Sequence, residues 1–412
     1  MQRLIISKNI LDNREEKNIF IQSLIKENQV VSLKANIPGI NKNTKEAFIL
    51  INYFDQILKS KGYKKSHQLF GADGPMYIYL VDKKLNIKEE MIRLEEVNSL
   101  GRFVDIDVFN NSISLNRKTL RKCYLCDNPA FFCARNKSHK LEEITEFIEK
   151  NIEKELCEIV KLMCDEAIME ELNIHPKFGL VTPYTNGSHK DMNYKLMIKA
   201  KNSILDSFVE MFKVGYHNND LDTIFKESRQ IGLDAEKKMF KATKNVNCYK
   251  GLIFDLGLVA ASIGYKLSHL NFDVDIFQTI KQMTKGITEE LKYGNDTFGK
   301  YAYQTYNIGG ARMEAESGFP HVQKLLKEEL DSKQSLIYLI SSVDDTVLLK
   351  RCGIYQKYLD IKNEFKNLEF TDISINELND YCIKNNLSFG GAADLLIVYI
   401  FIKNVNKILN IY

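Results

Sequence analysis

Gly101-Arg102-Phe103-Val104-Asp105-Ile106-Asp107-Val108 places two carboxylates two residues apart in a run with the composition of a strand. A strand alternates its side chains, so Asp105 and Asp107 face the same way. Two carboxylates held side by side in a partly buried site repel each other. A divalent cation relieves that repulsion, and Mg²⁺ carrying phosphate oxygens suits such a pair. Nucleotidyl transfer uses this arrangement, because the metal orients and neutralises the triphosphate under attack. A solvent-facing strand edge is the plain structural alternative.

Downstream, Cys123, Cys126, Cys133 and His139 follow the spacing Cys-x2-Cys-x6-Cys-x5-His. This spacing permits a tetrahedral Cys3His zinc knuckle. The same stretch supports a second reading, preferred on sequence, in which the cysteines are small core hydrophobes. Arg117, Lys118, Arg121, Lys122, Arg135, Lys137 and Lys140 then form a basic surface for phosphate or an acidic partner.

The second half of the chain offers a helix junction over Gly232 to Gly257. A charged helical run breaks at Asn245-Val246-Asn247-Cys248-Tyr249, and an apolar helix resumes at Lys250-Gly251. Asn is poor inside helices and good at starting them. A lysine at a helix N-terminus is well placed for anionic oxygens, although an ordinary helix corner would look the same. Ser188, His189 and Asp191 lie too close in sequence to build a catalytic triad, and a phosphate or metal role fits them better. Arg312, Glu314 and Glu316 share one helical turn before Gly318 and Pro320, which by default is a solvated salt-bridged face. Asp344 and Asp345 start a helix that ends near Arg351 and could be plain N-caps. Gly390 and Gly391 open the last helix, where small residues allow close approach of a backbone or ligand.

These residues need a scaffold, and the composition bounds it. A chain of 412 residues has room for two or three domains, and 44% hydrophobic residues with only 6 Pro and 21 Gly point to a mostly helical globular protein. The net charge of +3 is too balanced to argue for nucleic acid. Residues 1–150 hold 25 basic and 19 acidic side chains against 32 and 35 in the remainder, so the two parts differ in sign. The first residues lack the features of a signal peptide, and the longest wholly apolar run, Leu395 to Ile402, is too short to span a bilayer. A cytoplasmic location is expected. Eight cysteines, five of them between Cys123 and Cys164, do not suit a secreted disulfide framework in a chain this long.

Periodicity predicts helices over 13–27 and 44–60, and strands over Val30 to Ile37, Met76 to Val81 and Phe103 to Val108. The turn signal Gly71-Ala72-Asp73-Gly74-Pro75 precedes the middle strand. From Leu141 to Leu172 the pattern is nearly continuous helix, with Leu141, Ile144, Ile148, Ile152, Leu156, Ile159 and Met163 on one stripe. Almost exclusively helical patterns follow. The expectation is two domains: residues 1–152, α/β or α+β and nucleotidyltransferase-like, and residues 153–412, an all-α bundle.

Gly101-Arg102-x-x-Asp105-x-Asp107-Val108, Arg121-x-Cys123-x2-Cys126 and Cys133-x-Arg135-x3-His139 together resemble the apo-citrate lyase phosphoribosyl-dephospho-CoA transferase family. Arg14 and Asn36-Ile37-Pro38-Gly39 resemble its upstream blocks, so the resemblance covers about residues 1–150. It implies transfer of a phosphoribosyl-dephospho-CoA group to a serine of the citrate lyase acyl carrier (gamma) subunit, with pyrophosphate leaving. It also implies that Asp105 and Asp107 are Mg²⁺ ligands, with Arg14, Arg102, Arg121 and Arg135 as substrate contacts.

From about residue 155 to the C-terminus, six ordered blocks resemble the triphosphoribosyl-dephospho-CoA synthase family. They are Gly179-Leu180-Val181 with Asn186 to Met192, Ala235-Glu236 with Met239, Val246-Asn247 with Lys250-Gly251, Arg312-x-Glu314-Ala315 with Gly318 to Pro320, Asp345-Thr346 with Arg351, and Gly390-Gly391 with Asp394. The resemblance implies that ATP loses adenine while its triphosphoribosyl unit joins the 2′-hydroxyl of 3′-dephospho-CoA. Lys250 and Arg312 are then phosphate ligands, and Glu236, Glu314, Asp191 and Asp394 serve the ribose or Mg²⁺. His189, Asn247, Asp345, Arg351, Gly390 and Gly391 complete the substrate contacts.

The chain departs from the pattern at several points. Thr182 stands for an acid, Phe178 for a proline, Cys248-Tyr249 for Thr-His, Asn245 and Met313 for glycines, and Val347 for an asparagine. The expected function is a bifunctional enzyme that makes a prosthetic group and attaches it, tethering raising the local concentration of the shared intermediate. A transferase with a degenerate helical half is the enzymatic alternative, and a zinc-knuckle adaptor the non-enzymatic one.

Overall fold

A computed structural model describes the chain except for residues 1–2, 6–8, 84–85, 111–112, 115–119, 294–296 and 329. Arg117 and Lys118 of the expected basic surface therefore lie outside the described residues. The chain divides into two compact units: Met1–Glu158 with His269–Asn271 and Lys407–Asn410, and Ile159–Ser268 with Phe272–Asn406 and Ile411–Tyr412.

In the first unit, strands β1 (Arg3–Ile5), β2 (Gln29–Ala35), β3 (Lys65–Phe70), β4 (Met76–Val81), β5 (Val104–Asn110) and β6 (Ile113–Ser114) make one sheet in the order β1-β3-β4-β2-β5-β6. Only the β1–β3 pair is parallel. Helices α1 (Ile10–Ile25), α2 (Lys45–Ser60), α3 (Lys88–Val97) and α4 (Ala130–Asn136) accompany it, followed by the 33-residue α5 (Leu141–Asn173). Along β5 the burial alternates: Val104, Ile106 and Val108 are in the core, and Asp105 and Asp107 share the half-exposed face. The register sets Lys34 opposite Asp105 and Ser32 opposite Asp107.

The expected helices and strands are present, and β1, β3, β6, α3 and α4 are added to them. The sequence KSHQLF of β3 has no hydrophobic alternation, because only Leu69 is buried there. In α3 only Met91 and Glu95 are buried, so its apolar stripe is too thin to announce a helix.

Among the described residues the second unit is helical throughout: α6 (Tyr194–His217), α7 (Leu221–Thr243), α8 (Lys250–Ser268), α9 (Ile276–Met283), α10 (Phe298–Tyr306), α11 (Ala311–Glu316), α12 (Pro320–Lys327), α13 (Ser332–Ser342), α14 (Thr346–Cys352), α15 (Tyr355–Lys366), α16 (Asp372–Lys384) and α17 (Gly390–Leu409). The centre is α8, buried at most positions from Leu252 to Leu267. By length and composition it is the one described helix that could cross a membrane, yet 78% of its apolar window is buried inside the protein.

Helix α6 reaches α8 at backbone distance. A Cβ added to Gly215 would lie 1.9 Å from the Ala261 carbonyl oxygen, and one on Gly264 2.1 Å from that of Phe212. Neither neighbour is a side chain that can swing away, so overpacking must separate the helices. Gly215→Ala should therefore destabilise the helical unit by about 3 kcal/mol, at the upper end of typical overpacking. Urea unfolding followed by circular dichroism measures this, and a midpoint unchanged from wild type would refute the close-approach account.

Candidate active sites

The first site is built on β5. Arg121 donates from Nη1 to Asp105 at 2.5 Å and from Nη2 to the Val104 carbonyl at 3.0 Å, and pairs with Glu95 at 2.9 Å. Glu95 is buried and also accepts from the Ile106 backbone N–H at 2.6 Å. Burial raises the Asp107 carboxyl above its ordinary range, and the neighbouring charge of Asp105 adds to the effect. Arg121 thus turns inward to the acids and does not face solvent with the other expected basic residues. Arg135, Lys137 and Lys140 do remain exposed.

Beside this pair the fold gathers Arg14, to which the resemblance pointed, with lysines that the sequence did not advertise. Asp73, buried in the turn before β4, accepts from Arg14 Nε at 2.8 Å and from Lys34. Its backbone N–H donates to Asn13 at 3.0 Å. Lys17, buried one turn after Asn13, donates to the Gly74 carbonyl at 2.6 Å. Burial opposes the charge on Asp73, yet the hydrogen bonds from Lys34 and Arg14 prevail and hold its carboxyl below the usual range. Lys17 is pushed down to about 8, first by burial, with Lys34 and Arg14 adding repulsion. Lys42 is lowered for the same reasons. Arg14, Lys17, Lys34 and Lys42 therefore surround a single carboxylate, an excess of positive charge that a polyphosphate would satisfy.

Arg102 does something else. Its Nη2 donates to the carbonyls of Lys122 at 3.0 Å and Cys123 at 2.5 Å, anchoring the cysteine loop. The ligand atoms of Cys123, Cys126, Cys133 and His139 all lie within 4.8 Å of one another.

The second site lies in the helical unit, where two chambers of about 690 and 780 Å³ share Lys250, Gly251, Ala311 and Thr346 in their walls. The smaller is lined by acids from several helices: Glu171, Asp255, Glu314, Asp344, Asp345 and Asp394. Burial raises the carboxyls of Asp255 and Asp394 well above the ordinary range. Asp394 and Glu314 reinforce this at Asp255, and Asp345 and Glu171 at Asp394. Asp394 accepts from the Leu252 backbone N–H in the first turn of α8. A Cβ on Gly251 would meet Asp394 Oδ2 at 2.2 Å, so that glycine is what admits the carboxylate.

Asp345 caps α14 through the N–H groups of Val347 at 2.7 Å and Leu348 at 3.0 Å, and reaches the Ala392 N–H of α17 at 3.1 Å. Buried Lys177 pairs with Glu171 at 2.9 Å. Asp255 Oδ1 and Glu314 Oε2 are buried without a protein partner. Orphaned hard oxygens in an acid-lined chamber fit a Mg²⁺ ion.

The cations stand in ion pairs around the chambers. Lys250 meets Glu236 at 2.9 Å, while Asn247 caps α8 by accepting from the Lys250 backbone N–H at 3.1 Å. Arg229 grips Glu290 with both guanidinium nitrogens at 2.6 and 2.7 Å, and Arg312 approaches the same carboxylate at 3.7 Å. His189 meets Ser388 Oγ at 3.0 Å and Arg351 at 3.4 Å. Burial lowers its pKa, and Arg351 lowers it further. Ser188 instead donates to the Cys382 carbonyl at 3.3 Å, and Asp191 is exposed 4.0 Å from His189. Gly390 and Gly391 pack on Val347 and Asp345, joining the starts of α17 and α14.

In the helical unit, Asp255, Glu171 and Lys177 are site residues that sequence reasoning missed. A lone carboxylate inside the apolar run Leu252 to Val259, one helical turn from Gly251, was the available signal. The departures are accommodated locally. Asn245 takes φ +67°, a left-handed conformation that asparagine tolerates. Thr182 Oγ1 accepts from the N–H groups of Tyr184 and Thr185, both at 3.2 Å, and so stabilises a turn. Phe178 is buried edge-on to Phe365. Met313 packs beneath Gly309, while Tyr249 carries a buried hydroxyl without a partner. Cys248 lines the acid chamber, and burial, with the Asp191 charge, pushes its thiol up to about 11.

Comparison with known proteins places both sites in context. Residues 6–155 match the family described as apo-citrate lyase phosphoribosyl-dephospho-CoA transferase, and residues 157–411 the family described as ATP:dephospho-CoA triphosphoribosyl transferase. Protein CitXG of Leuconostoc mesenteroides subsp. cremoris is 30% identical, over 95% of this chain and 96% of its own length. Protein CitXG of Haemophilus influenzae is 31% identical over 95% and 94%. The 2-(5''-triphosphoribosyl)-3'-dephosphocoenzyme-A synthase of Haemophilus ducreyi is 32% identical over 67% of this chain and 98% of its own.

The buried acids set a pH dependence. A carboxyl whose folded pKa is raised contributes stability that is complete below its unfolded pKa and is lost as pH rises through the folded value. The helical unit should therefore lose thermal stability from about pH 4 upward. Asp255→Asn, which has no charge to form, should flatten that slope and raise the melting temperature at neutral pH. Calorimetry across the pH series checks this, and a slope identical to wild type would refute it.

Proposed function

The chain belongs to the ATP:dephospho-CoA triphosphoribosyl transferase family in its helical half and to the apo-citrate lyase phosphoribosyl-dephospho-CoA transferase family in its first half, and from that premise we infer that it both makes and installs one prosthetic group. The helical half joins the triphosphoribosyl unit of ATP to the 2′-hydroxyl of 3′-dephospho-CoA, releasing adenine. The first half transfers phosphoribosyl-dephospho-CoA to a serine of the citrate lyase acyl carrier subunit, releasing pyrophosphate. We place the transferase domain at 1–152, as nucleotidyltransferase-like, and the synthase domain at 153–412. The observation that supports the pairing most is that relatives similar along nearly the whole chain carry both parts in this order. A degenerate helical half and a non-catalytic adaptor are not favoured.

In the helical half, adenine departure leaves positive charge on the ribose, which carboxylates stabilise. Glu314, held by His321 at 2.5 Å, and Glu236 face the ribose, while Asp191 and Asp394 are further oxygen donors for a cation. Lys250 and Arg312 take phosphates, drawn from pairs with Glu236 and Glu290 that hold them in place beforehand. His189, Asn247, Asp345, Arg351, Gly390 and Gly391 shape the rest of the substrate surface.

In the first half, Arg14, Lys17, Lys34 and Lys42 grip the triphosphate beside Asp105 and Asp107. The serine oxygen forms a bond to phosphorus as the bond to pyrophosphate breaks. Exposed Arg135 offers the carrier a docking charge. Mg²⁺, for which Asp105 with Asp107 and Asp255 with Glu314 and Asp394 are the fitting donors, supplies neutralisation of triphosphate charge when bound.

Two variants separate the half-reactions. Asp105→Asn should reduce carrier modification by about two to three orders of magnitude while sparing adenine release. Lys250→Ala should reduce adenine release and spare transfer of donor supplied from outside. Adenine is measured by chromatography and carrier modification by intact mass. Losses that appear together in both assays for each variant would reject two independent sites.

A further inference from the structure

Between Arg121 and His139 only Cys123 and Cys133 are buried, while Phe131 and Phe132 are 59% and 48% exposed. Apolar burial within this segment is slight, and small units of this kind commonly need a staple. The backbone nevertheless forms a defined hairpin. Cys123 N–H donates to the Asn128 carbonyl at 2.7 Å, and Ala130 N–H to that of Arg121 at 2.8 Å. Helix α4 then starts, carries Cys133, and ends at Lys137 with φ +49°, after which Ser138 N–H returns to the Cys133 carbonyl at 3.0 Å. That reversal brings His139 back towards the hairpin.

Four soft and borderline ligands converge as a result. Cys126 Sγ is 3.5 Å from Cys133 Sγ, and His139 Nε2 is 3.4 Å from Cys126 Sγ. A disulfide would need about 2.05 Å, and all the cysteines are free. Zinc bonds of about 2.3 Å to sulfur and 2.0–2.1 Å to nitrogen set neighbouring ligands of a tetrahedron roughly 3.5–3.8 Å apart. The two separations lie close to that spacing, and all four ligand atoms fall within 4.8 Å of one another.

We propose that Cys123, Cys126, Cys133 and His139 bind one structural zinc ion, which fixes the hairpin that carries Arg121. Four protein ligands leave no open coordination position, so the ion serves folding and not reaction chemistry. Its reach extends through the hairpin itself. Arg121 leaves the hairpin base to bond Asp105, Arg102 binds the Lys122 and Cys123 carbonyls, and Tyr124 donates to the Arg102 carbonyl at 3.1 Å. The zinc assignment stands on ligand geometry. The positioning of Arg121 rests on the reading of Asp105 as the transferase centre.

The full-length chain, purified from zinc-supplemented cells under reducing conditions without chelator, should contain about one zinc per chain by plasma mass spectrometry. A mercurial should release it as three thiols react. Cys133→Ser should lose the metal, lower carrier modification about ten- to a hundredfold and keep adenine release, which shows that the helical unit still folds. Cys352→Ser, a buried cysteine of the helical unit, should keep both metal and transfer. Cobalt substituted into the wild-type chain should show thiolate-to-metal charge-transfer absorption. Substoichiometric zinc, full zinc in Cys133→Ser, absence of that absorption, or a Cys126–Cys133 disulfide in active metal-free protein would each overturn the site. Undiminished transfer after zinc removal would overturn the positioning role alone. If Asp105→Asn left transfer intact, the reading of the centre would fall while the zinc content stood.

Discussion

Asp345 is the carboxylate on which the helical unit's acid-lined chamber depends, because it binds two helix starts at once. One oxygen caps α14 and the other takes an N–H from α17. A carboxylate removed from water must find donors, and a helix N-terminus offers them without a countercharge. Asp394 uses the same device at the start of α8. Three helix starts are thereby drawn to one chamber. Glycines at 251 and 391 provide the clearance, since any Cβ there would crowd the carboxylate it faces. The acids Asp255 and Glu314 complete the wall with oxygens that no protein group satisfies. Burying them costs stability, and an arrangement that costs stability at the floor of a cavity is where function is concentrated.

The first unit solves the opposite problem. Beside Asp105 and Asp107 it gathers cations, and Asp73 is the acid that pairs with both Arg14 and Lys34. Lysines forced together in this way lower one another's pKa, and a polyanion relieves the strain. One unit therefore stores unsatisfied negative charge and the other unsatisfied positive charge. Each is incomplete without its substrate.

How much of this was legible depends on whether the signal was local. Asp105 and Asp107 were readable because strand period two leaves them no choice of face. The cysteine spacing was readable for a similar reason, although only the fold shows that α4 and the Lys137 reversal close it into a tetrahedron-sized cluster. Asp73 looked like part of a turn signal, and its role comes from partners on α1 and β2 that are far away in sequence. Asp255 was hidden by the apolar run that buries it. The strand β3 escaped because its burial is supplied by neighbours and not by its own pattern. Asn245 illustrates the reverse case, in which a departure from an expected glycine proves harmless because the position requires a backbone angle and not a residue type.

Lys250 borders both chambers of the helical unit. One ammonium cannot offer its full field to two anionic guests, so whatever occupies one chamber changes the welcome in the other. Two anions bound one in each chamber would then be thermodynamically linked without any movement of the protein.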